Sequence, residues 1–292
     1  MKMVRYSATL RFPASAWVLS VFFALFTASQ SACQSPRPAA PTEAATGGRY
    51  DLLYTIPVKA RNFTTDKLQN IYILTGDNEV IKYTPDGKEQ FRYPNRTLGD
   101  AAVLDATNPF LLLLFFPGHQ TVLTLDRTMN LSGQFNLLQF GLFRVNALGM
   151  AGDGRLWVYD EVDFRLKKIA MDGTVTAQGN DLSLVLGRPI RPDFLVEQGQ
   201  LVYLNDPAEG ILVFDVFGQY QKTLPLKNLR EFQVFDEQLV YFTEGKLFSF
   251  HLKALLERPV RLPDDIGPND LVKAGMDRLF VLAHDGLRVY RF

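Results

Sequence analysis

Residues 144–178, RVNALGMAGDGRLWVYDEVDFRLKKIAMDGTVTAQ, contain four short strand-like segments separated by turns. The turns at 152–154 (GDG) and 172–173 (DG) use residue types that tolerate the positive φ of tight hairpins. Residues 155–159 are mostly apolar, and residues 164–171 alternate apolar and polar side chains. A buried strand followed by a half-buried strand gives this pattern. The segment therefore predicts one four-stranded antiparallel sheet.

The same pattern recurs along the chain at intervals of about 40 residues. Runs typical of a buried strand begin at six positions: Ile71, Phe110, Leu156, Leu201, Leu239 and Leu279. Successive positions are 39, 46, 45, 38 and 40 residues apart. Strand repeats at this period are typical of a β-propeller, in which each repeat forms one blade and packs against its neighbours. We therefore predict an all-β, six-bladed β-propeller of four-stranded blades.

The last repeat lacks a fourth strand, because the chain ends after residues 286–292. Residues 50–58, YDLLYTIPV, are strand-like and precede the first repeat. Pairing of these two segments would close the ring and remove its exposed sheet edges. We therefore assign the propeller domain to residues 50–292. A seven-bladed ring would need a further repeat, and a β-sandwich would not require the 40-residue register.

Residues 1–32 are predicted to be a signal peptide of the lipoprotein type. Lys2, Arg5 and Arg11 give a basic start, and an apolar stretch follows at residues 14–26. This stretch is shorter than a comfortable membrane span. A retained membrane anchor is the alternative interpretation.

Cys33 is the single cysteine of the chain and follows Ser31-Ala32. This arrangement resembles a bacterial lipobox, although Gln30 stands where that motif normally has an apolar residue. The resemblance implies lipidation of Cys33, whereas ordinary secretion with a spare thiol is the alternative. Residues 33–49 then form the lipidated cysteine and a flexible Pro/Ala-rich tether. We expect an outer-membrane lipoprotein of the bacterial cell envelope that faces the periplasm.

Charge gives no support for nucleic-acid binding. Without residues 1–32 the chain has 28 Lys and Arg against 31 Asp and Glu, and no long basic stripe. A nucleic-acid-binding surface usually shows clustered positive charge. Nucleic acid is therefore not an expected partner. The lipobox resemblance instead implies contact with a membrane through the lipid and a protein partner in the envelope.

A ring of polar residues is predicted where the innermost strands begin. Counting back from each buried strand gives six positions: Asn62, Asp100, Asn146, Asp193, Glu231 and Asp270. Their oxygen atoms suit a calcium ion or a polar ligand. This ring resembles the acidic channel site of six-bladed calcium-dependent lactonases. The alternative is that these side chains satisfy turn backbones or pair with nearby arginines.

A partner surface is predicted within residues 131–143, LSGQFNLLQFGLF, which have too many apolar residues for one alternating face. Its candidate residues are Phe135, Leu138, Phe140, Leu142 and Phe143. An exposed apolar cluster would mark an interaction site. The alternative is burial of these side chains at the blade junction. The sequence contains no HExxH or Gly-x-Ser-x-Gly motif for zinc or nucleophilic catalysis.

The strand motif Asn70-Ile71-Tyr72-Ile73-Leu74 and the Asp-Gly turns at 86–87 and 172–173 resemble bacterial six-bladed propellers of the NHL and TolB-like kind. Such families mostly act as interaction platforms, and a minority are hydrolases or lyases. The resemblance implies a non-enzymatic, lipid-anchored scaffold or protein-binding subunit of an envelope complex for outer-membrane assembly, secretion or transport. No cofactor is expected on that interpretation. The alternative is a propeller hydrolase or lyase that uses the channel ring, with calcium as its cofactor.

Overall fold

The computed structural model describes residues 50–95, 97–108 and 110–292. The predicted signal peptide, Cys33 and the tether lie outside these described residues. The described part of the chain is built from β-strands, with two 3-10 turns at Pro117–His119 and Leu137–Phe140 and one short helix, α1, at Leu182–Leu186.

The described residues form 24 strands. In chain order they are β1 (Asp51–Ile56), β2 (Ala60–Thr65), β3 (Ile71–Thr75), β4 (Glu79–Tyr83), β5 (Glu89–Pro94), β6 (Val103–Asp105), β7 (Leu112–Phe116), β8 (Thr121–Leu125), β9 (Leu131–Asn136), β10 (Val145–Met150), β11 (Leu156–Asp160), β12 (Arg165–Ile169), β13 (Val175–Gln178), β14 (Phe194–Gln198), β15 (Leu201–Asp206), β16 (Gly210–Asp215), β17 (Tyr220–Leu224), β18 (Gln233–Phe235), β19 (Gln238–Thr243), β20 (Lys246–His251), β21 (Leu256–Val260), β22 (Leu271–Ala274), β23 (Arg278–Ala283) and β24 (Gly286–Arg291).

These strands form six four-stranded antiparallel sheets, which confirms the predicted six-bladed propeller. Blades 1 to 5 use consecutive strands, from β2–β5 in blade 1 to β18–β21 in blade 5. Blade 6 has the order β1-β24-β23-β22, so the two ends of the described chain share one sheet. Asp51 pairs with Arg291 and Ile56 pairs with Leu287. The ring therefore closes as the sequence predicted.

The second strands of blades 1 to 3 are buried throughout, because both of their faces pack against neighbouring blades. Every residue of β3, β7 and β11 is buried. At the junction of blades 3 and 4, Trp157 and Phe214 lie in one apolar cluster and are fully buried. The sequences of such strands are continuous apolar runs, because neither face of the strand is exposed to solvent. The strand in blade 2 begins at Leu112, two residues later than predicted.

Side chains also join neighbouring innermost strands. Asp105 Oδ2 accepts a 2.8 Å hydrogen bond from Met150 N, which joins blades 2 and 3. Gln233 forms two hydrogen bonds with the backbone of Ala274, at 3.0 and 2.7 Å, which join blades 5 and 6. These bonds satisfy backbone groups at the blade junctions and fix the positions of the strands around the central channel.

The propeller has two faces, which we name from the direction of the six innermost strands. The entry face is the side on which β2, β6, β10, β14, β18 and β22 begin. The exit face is the side on which the same strands end. The turns between the first and second strands of each blade therefore lie on the exit face.

Candidate functional site

The central channel encloses a cavity of about 840 Å³. Residues of blades 1, 2, 4, 5 and 6 line the cavity, and none from blade 3 does so. Gly149 of blade 3 packs closely on blade 4, because a Cβ atom at this position would lie 2.8 Å from Leu195 O. The tight contact at this junction is consistent with the absence of β10 from the cavity wall.

Four of the six predicted ring residues line this cavity, namely Asn62, Asp193, Glu231 and Asp270. Asp100 and Asn146 are not part of its lining. Asp100 Oδ1 lies 2.8 Å from Arg61 Nη1, and Asn146 Nδ2 donates a 2.5 Å hydrogen bond to Glu161 Oε1. Both side chains are therefore held by neighbours at the entry face.

The lining members of the ring also have partners within the protein. Asn62 Oδ1 accepts a 2.8 Å hydrogen bond from the next backbone amide, Phe63 N. Asp270 Oδ2 accepts from Gly267 N at 2.9 Å, and Glu231 Oε2 lies 2.9 Å from Lys273 Nζ. Such contacts are those expected of polar side chains that stabilise turns and junctions. Binding of a ligand by these groups stays a prediction.

Asp193 has the most distinctive electrostatic environment of the ring. Although Asp193 remains open to the cavity, partial burial raises the pKa of its carboxyl group. The hydrogen bond from Asn205 Nδ2 to Asp193 Oδ1, at 2.8 Å, opposes this effect by stabilising the charged form. A carboxyl group with a raised pKa inside a cavity is a candidate proton donor or acceptor.

Among the residues that the structure describes, no group of three His, Cys, Asp or Glu side chains could hold a metal ion. None of the three histidines of the chain lines the cavity. His119 Nδ1 lies 3.1 Å from Leu98 O, and His251 lies 3.7 Å from Glu237. Within the same described ranges, no helix has the length and apolar character required to cross a membrane.

The structure divides the predicted partner surface. Leu138 and Phe143 are exposed, with 44% and 64% of their surface accessible to solvent. Phe135 and Phe140 are half-buried and pack on the core between blades 2 and 3. Leu142 does not belong to this surface, because it is 3% exposed and lies inside that core. The sequence pattern did not distinguish the inward side of this loop from its outward side.

Three adjoining loops extend the exposed part of this surface across the entry side of blade 3. Glu161 N donates a 3.0 Å hydrogen bond to Arg144 O, and Leu182 N donates a 2.8 Å hydrogen bond to Phe164 O. These two bonds join the loop at residues 161–164 to the loops on either side. The exposed apolar side chains of the three loops are Leu138, Phe143, Val162, Leu184 and Val185. We call this set the blade-3 apolar surface.

Sequence reasoning missed the part of this surface that helix α1 supplies. Asp181 caps the helix, since its Oδ1 accepts hydrogen bonds from Ser183 N at 2.9 Å and Leu184 N at 3.4 Å. The helix buries Leu182 and leaves Leu184 81% exposed. The start of this helix could have been predicted from the sequence, because Asp is a preferred N-cap residue and Asp181 directly precedes an apolar run.

Unpaired arginines lie on the same entry side of blades 3 to 5. Arg144, Arg191 and Arg230 are exposed, and none of them forms an ion pair with another described residue. Arg61 differs, since it pairs with Asp100. The entry face therefore combines apolar side chains with cationic groups that have no partner in the described part of the chain.

Comparison with solved structures shows the propeller fold in other proteins. The WD40 domain of Neurospora crassa Pan2 superposes with a TM-score of 0.61 at 9% identity, over 83% of this chain and 95% of that one. A streptogramin B lyase gives a TM-score of 0.54 at 11% identity, over 84% and 87% of the two chains. A catalytically inactive virginiamycin B lyase from Staphylococcus aureus with quinupristin gives 0.55 at 11% identity, over 83% and 88%. At these identities the likeness shows the fold alone.

No protein-family model and no curated protein matches the sequence.

Proposed function

We propose that the chain is a non-enzymatic, lipid-anchored binding subunit of a bacterial cell-envelope complex that serves outer-membrane assembly, secretion or transport. The blade-3 apolar surface is the observation that carries this proposal. It places five exposed apolar side chains on three adjoining loops at one side of a closed ring. Exposed apolar groups that adjoin one another on a soluble domain mark interaction surfaces, whereas isolated ones do not.

The neighbouring charges indicate what kind of protein segment this surface binds. Arg144 adjoins Phe143 in the chain, and Arg191 follows helix α1. Arginine is a favoured residue at protein interfaces because its planar guanidinium group binds carboxylates in a bidentate manner. The partner segment therefore combines apolar side chains with Asp or Glu.

Cys33 supplies the anchor in this proposal, and the segment before Tyr50 supplies the tether. A tethered domain meets membrane-bound partners at a raised local concentration. Labelled palmitate should enter the wild-type chain and should not enter Cys33→Ser. Absence of label from the wild-type chain would refute lipidation. Binding of a partner by the propeller is tested by a separate experiment.

Membrane pull-down with matched variants tests the binding surface. Phe143 and Phe217 are exposed to similar extents, at 64% and 69%, but Phe217 lies in a turn of blade 4 outside the blade-3 apolar surface. Phe143→Ser should lose a co-purifying envelope protein that wild type and Phe217→Ser both retain. Equal retention by both variants would refute the assignment of this surface.

The second candidate function is a hydrolase or lyase that works in the channel. The raised pKa of Asp193 in a cavity of about 840 Å³ favours this function, because Asp193 would act as a general acid or base there. Calcium is the cofactor prediction that belongs to this candidate. A rise in the unfolding temperature with calcium, relative to a chelator, would support it, and an unchanged temperature would count against the calcium site.

A further inference from the structure

The exit face carries exposed apolar side chains at the same turn of four consecutive blades. This turn joins the first and second strands of each blade. Around the ring these side chains are Phe235, which ends β18 directly before the turn of blade 5, and Met276, Leu68 and Phe110 in the turns of blades 6, 1 and 2. Their exposed fractions are 38%, 82%, 67% and 63%. The equivalent turns of blades 3 and 4, at residues 151–155 and 199–200, carry no exposed large apolar side chain.

Hydrogen bonds join part of this arc. Gln69 Nε2 donates to Asp277 Oδ1 at 2.9 Å, which connects the turns of blades 1 and 6. Phe292 N donates to Asp277 O at 3.3 Å, and the Phe292 side chain is 51% exposed beside the same turn. The turns of blades 6 and 1 therefore form one connected part of this surface. We call Leu68, Phe110, Phe235, Met276 and Phe292 the exit-face arc.

The chain enters the described part of the propeller beside this arc. The Tyr50 ring lies edge-on to Phe292, with 5.9 Å between the ring centroids. Cys33 lies 17 residues before Tyr50 in the sequence. The proposed function treats the intervening residues as a flexible tether, and a tether of that length would span about 20–25 Å on average. A lipid on Cys33 would therefore hold the exit-face arc within reach of the bilayer that contains the lipid.

We propose that the exit-face arc rests on the surface of a phospholipid bilayer and directs the entry face away from the membrane. This inference rests on the lipid anchor of the proposed function. Apolar contact carries the binding, because a shallow insertion of exposed Leu, Met and Phe side chains removes apolar surface from water. Lys67 is exposed next to Leu68 and Arg127 lies 5.5 Å from the Phe110 ring, whereas Asp236 and Asp277 are exposed next to Phe235 and Met276. Charges of both signs therefore border the arc, and its apolar side chains are the basis of the proposed contact.

Tryptophan scanning with quenching lipids tests this orientation. Met276 and Leu184 are equally exposed, at 82% and 81%, on the exit and entry faces respectively. The sequence has two tryptophans of its own, Trp17 in the predicted signal peptide and the fully buried Trp157, so the wild-type chain measured in parallel gives their background emission with the same vesicles. Full chains carrying Met276→Trp or Leu184→Trp are mixed with vesicles of phosphatidylethanolamine and phosphatidylglycerol that have brominated acyl chains. Each variant is also made with Cys33→Ser, and co-sedimentation measures vesicle binding.

The added emission of Met276→Trp should shift to the blue and lose most of its intensity, whereas that of Leu184→Trp should not change. Unquenched Met276→Trp on vesicles that carry the protein would overturn the inference while leaving the lipid anchor intact. If the arc binds a protein partner and not lipid, Met276→Trp should likewise remain unquenched, because these vesicles contain no other protein. Equal quenching of both variants would also overturn it.

Loss of co-sedimentation only in Cys33→Ser would support the anchor. Equal co-sedimentation of the chains with and without Cys33 would refute the lipid anchor. Quenching of Met276→Trp would still test whether the exit-face arc contacts the bilayer.

Discussion

Lys273 Nζ lies 2.9 Å from Glu231 Oε2 in the wall of the central channel. The same ammonium group donates a 2.7 Å hydrogen bond to Phe63 O and lies 5.2 Å from the Phe63 ring centroid. Glu231 precedes the first strand of blade 5, Lys273 lies in blade 6 and Phe63 lies in blade 1. One side chain therefore joins three blades beside the place where the ring closes.

Replacement of Lys273 by Met should destabilise the propeller. The change leaves Phe63 O without its donor and the Glu231 carboxylate without its cation, which costs about 1–3 kcal/mol. Urea unfolding of the single variants and of Lys273→Met with Glu231→Gln measures the coupling. The double variant should lose less stability than the sum of the single variants. Strict additivity would show that the two charges do not interact in solution.

Gly286→Ala should weaken ring closure. Gly286 has a φ of +146°, and a Cβ atom there would lie 2.3 Å from Ile56 O of the closing strand β1. The combined strain and clash should cost at least about 2 kcal/mol, which lowers the unfolding temperature by roughly 4–8 °C. Gly76→Ala is the control, because a Cβ atom at Gly76 would have no other atom within 4 Å. Equal melting temperatures for the two variants would contradict the closure described here.

Adjacent residues in the loop between blades 2 and 3 should respond differently to the same change. Leu142→Ser should cost about 3 kcal/mol, because it removes a buried apolar side chain and buries a hydroxyl group. Phe143→Ser should stay within about 0.5 kcal/mol of wild type, because the phenyl ring is exposed. Thermal unfolding measures both. A stable Leu142→Ser variant would show that Leu142 is not part of the core.

The stability contributed by Asp193 should depend on pH. Burial raises the pKa of Asp193 in the folded chain above its ordinary value of 3.8, so the folded state binds this proton more tightly than the unfolded state. The resulting stability is fully present below pH 3.8 and is lost as the pH rises through the raised pKa. Asp193→Asn should therefore be more stable than wild type at neutral pH, and the difference should shrink in acid. A difference that does not vary with pH would contradict a raised pKa.

The architecture could be predicted from the sequence because each blade repeats the same local signals. Continuous apolar runs such as residues 156–159 report burial on both sides, and the Asp-Gly turns separate the strands. Closure of the ring was also predictable, since the last repeat lacked one strand and residues 50–58 supplied one. Phe110 was assigned to a strand because it continues an apolar run, whereas the strand begins at Leu112 and Phe110 is exposed in the turn.

The candidate sites were less predictable, because they depend on which side chains lie close together in the folded chain. Repeat spacing gave equivalent ring positions, yet Asp100 and Asn146 lie outside the cavity lining and contact Arg61 and Glu161 instead. Leu142 and Phe143 are neighbours in sequence with opposite burial. The blade-3 apolar surface and the exit-face arc both join residues that are distant in sequence, so local patterns identify single members, such as helix α1, but not the complete surface.

Site-specific photo-crosslinking in intact cells tests the central claim most directly. A photoreactive amino acid replaces Leu184 on the entry face or Met276 on the exit face, two positions of nearly equal exposure. The account predicts one discrete protein adduct from position 184 and none from position 276, which faces lipid. Absence of an adduct at position 184, or the same protein adduct at both positions, would contradict it.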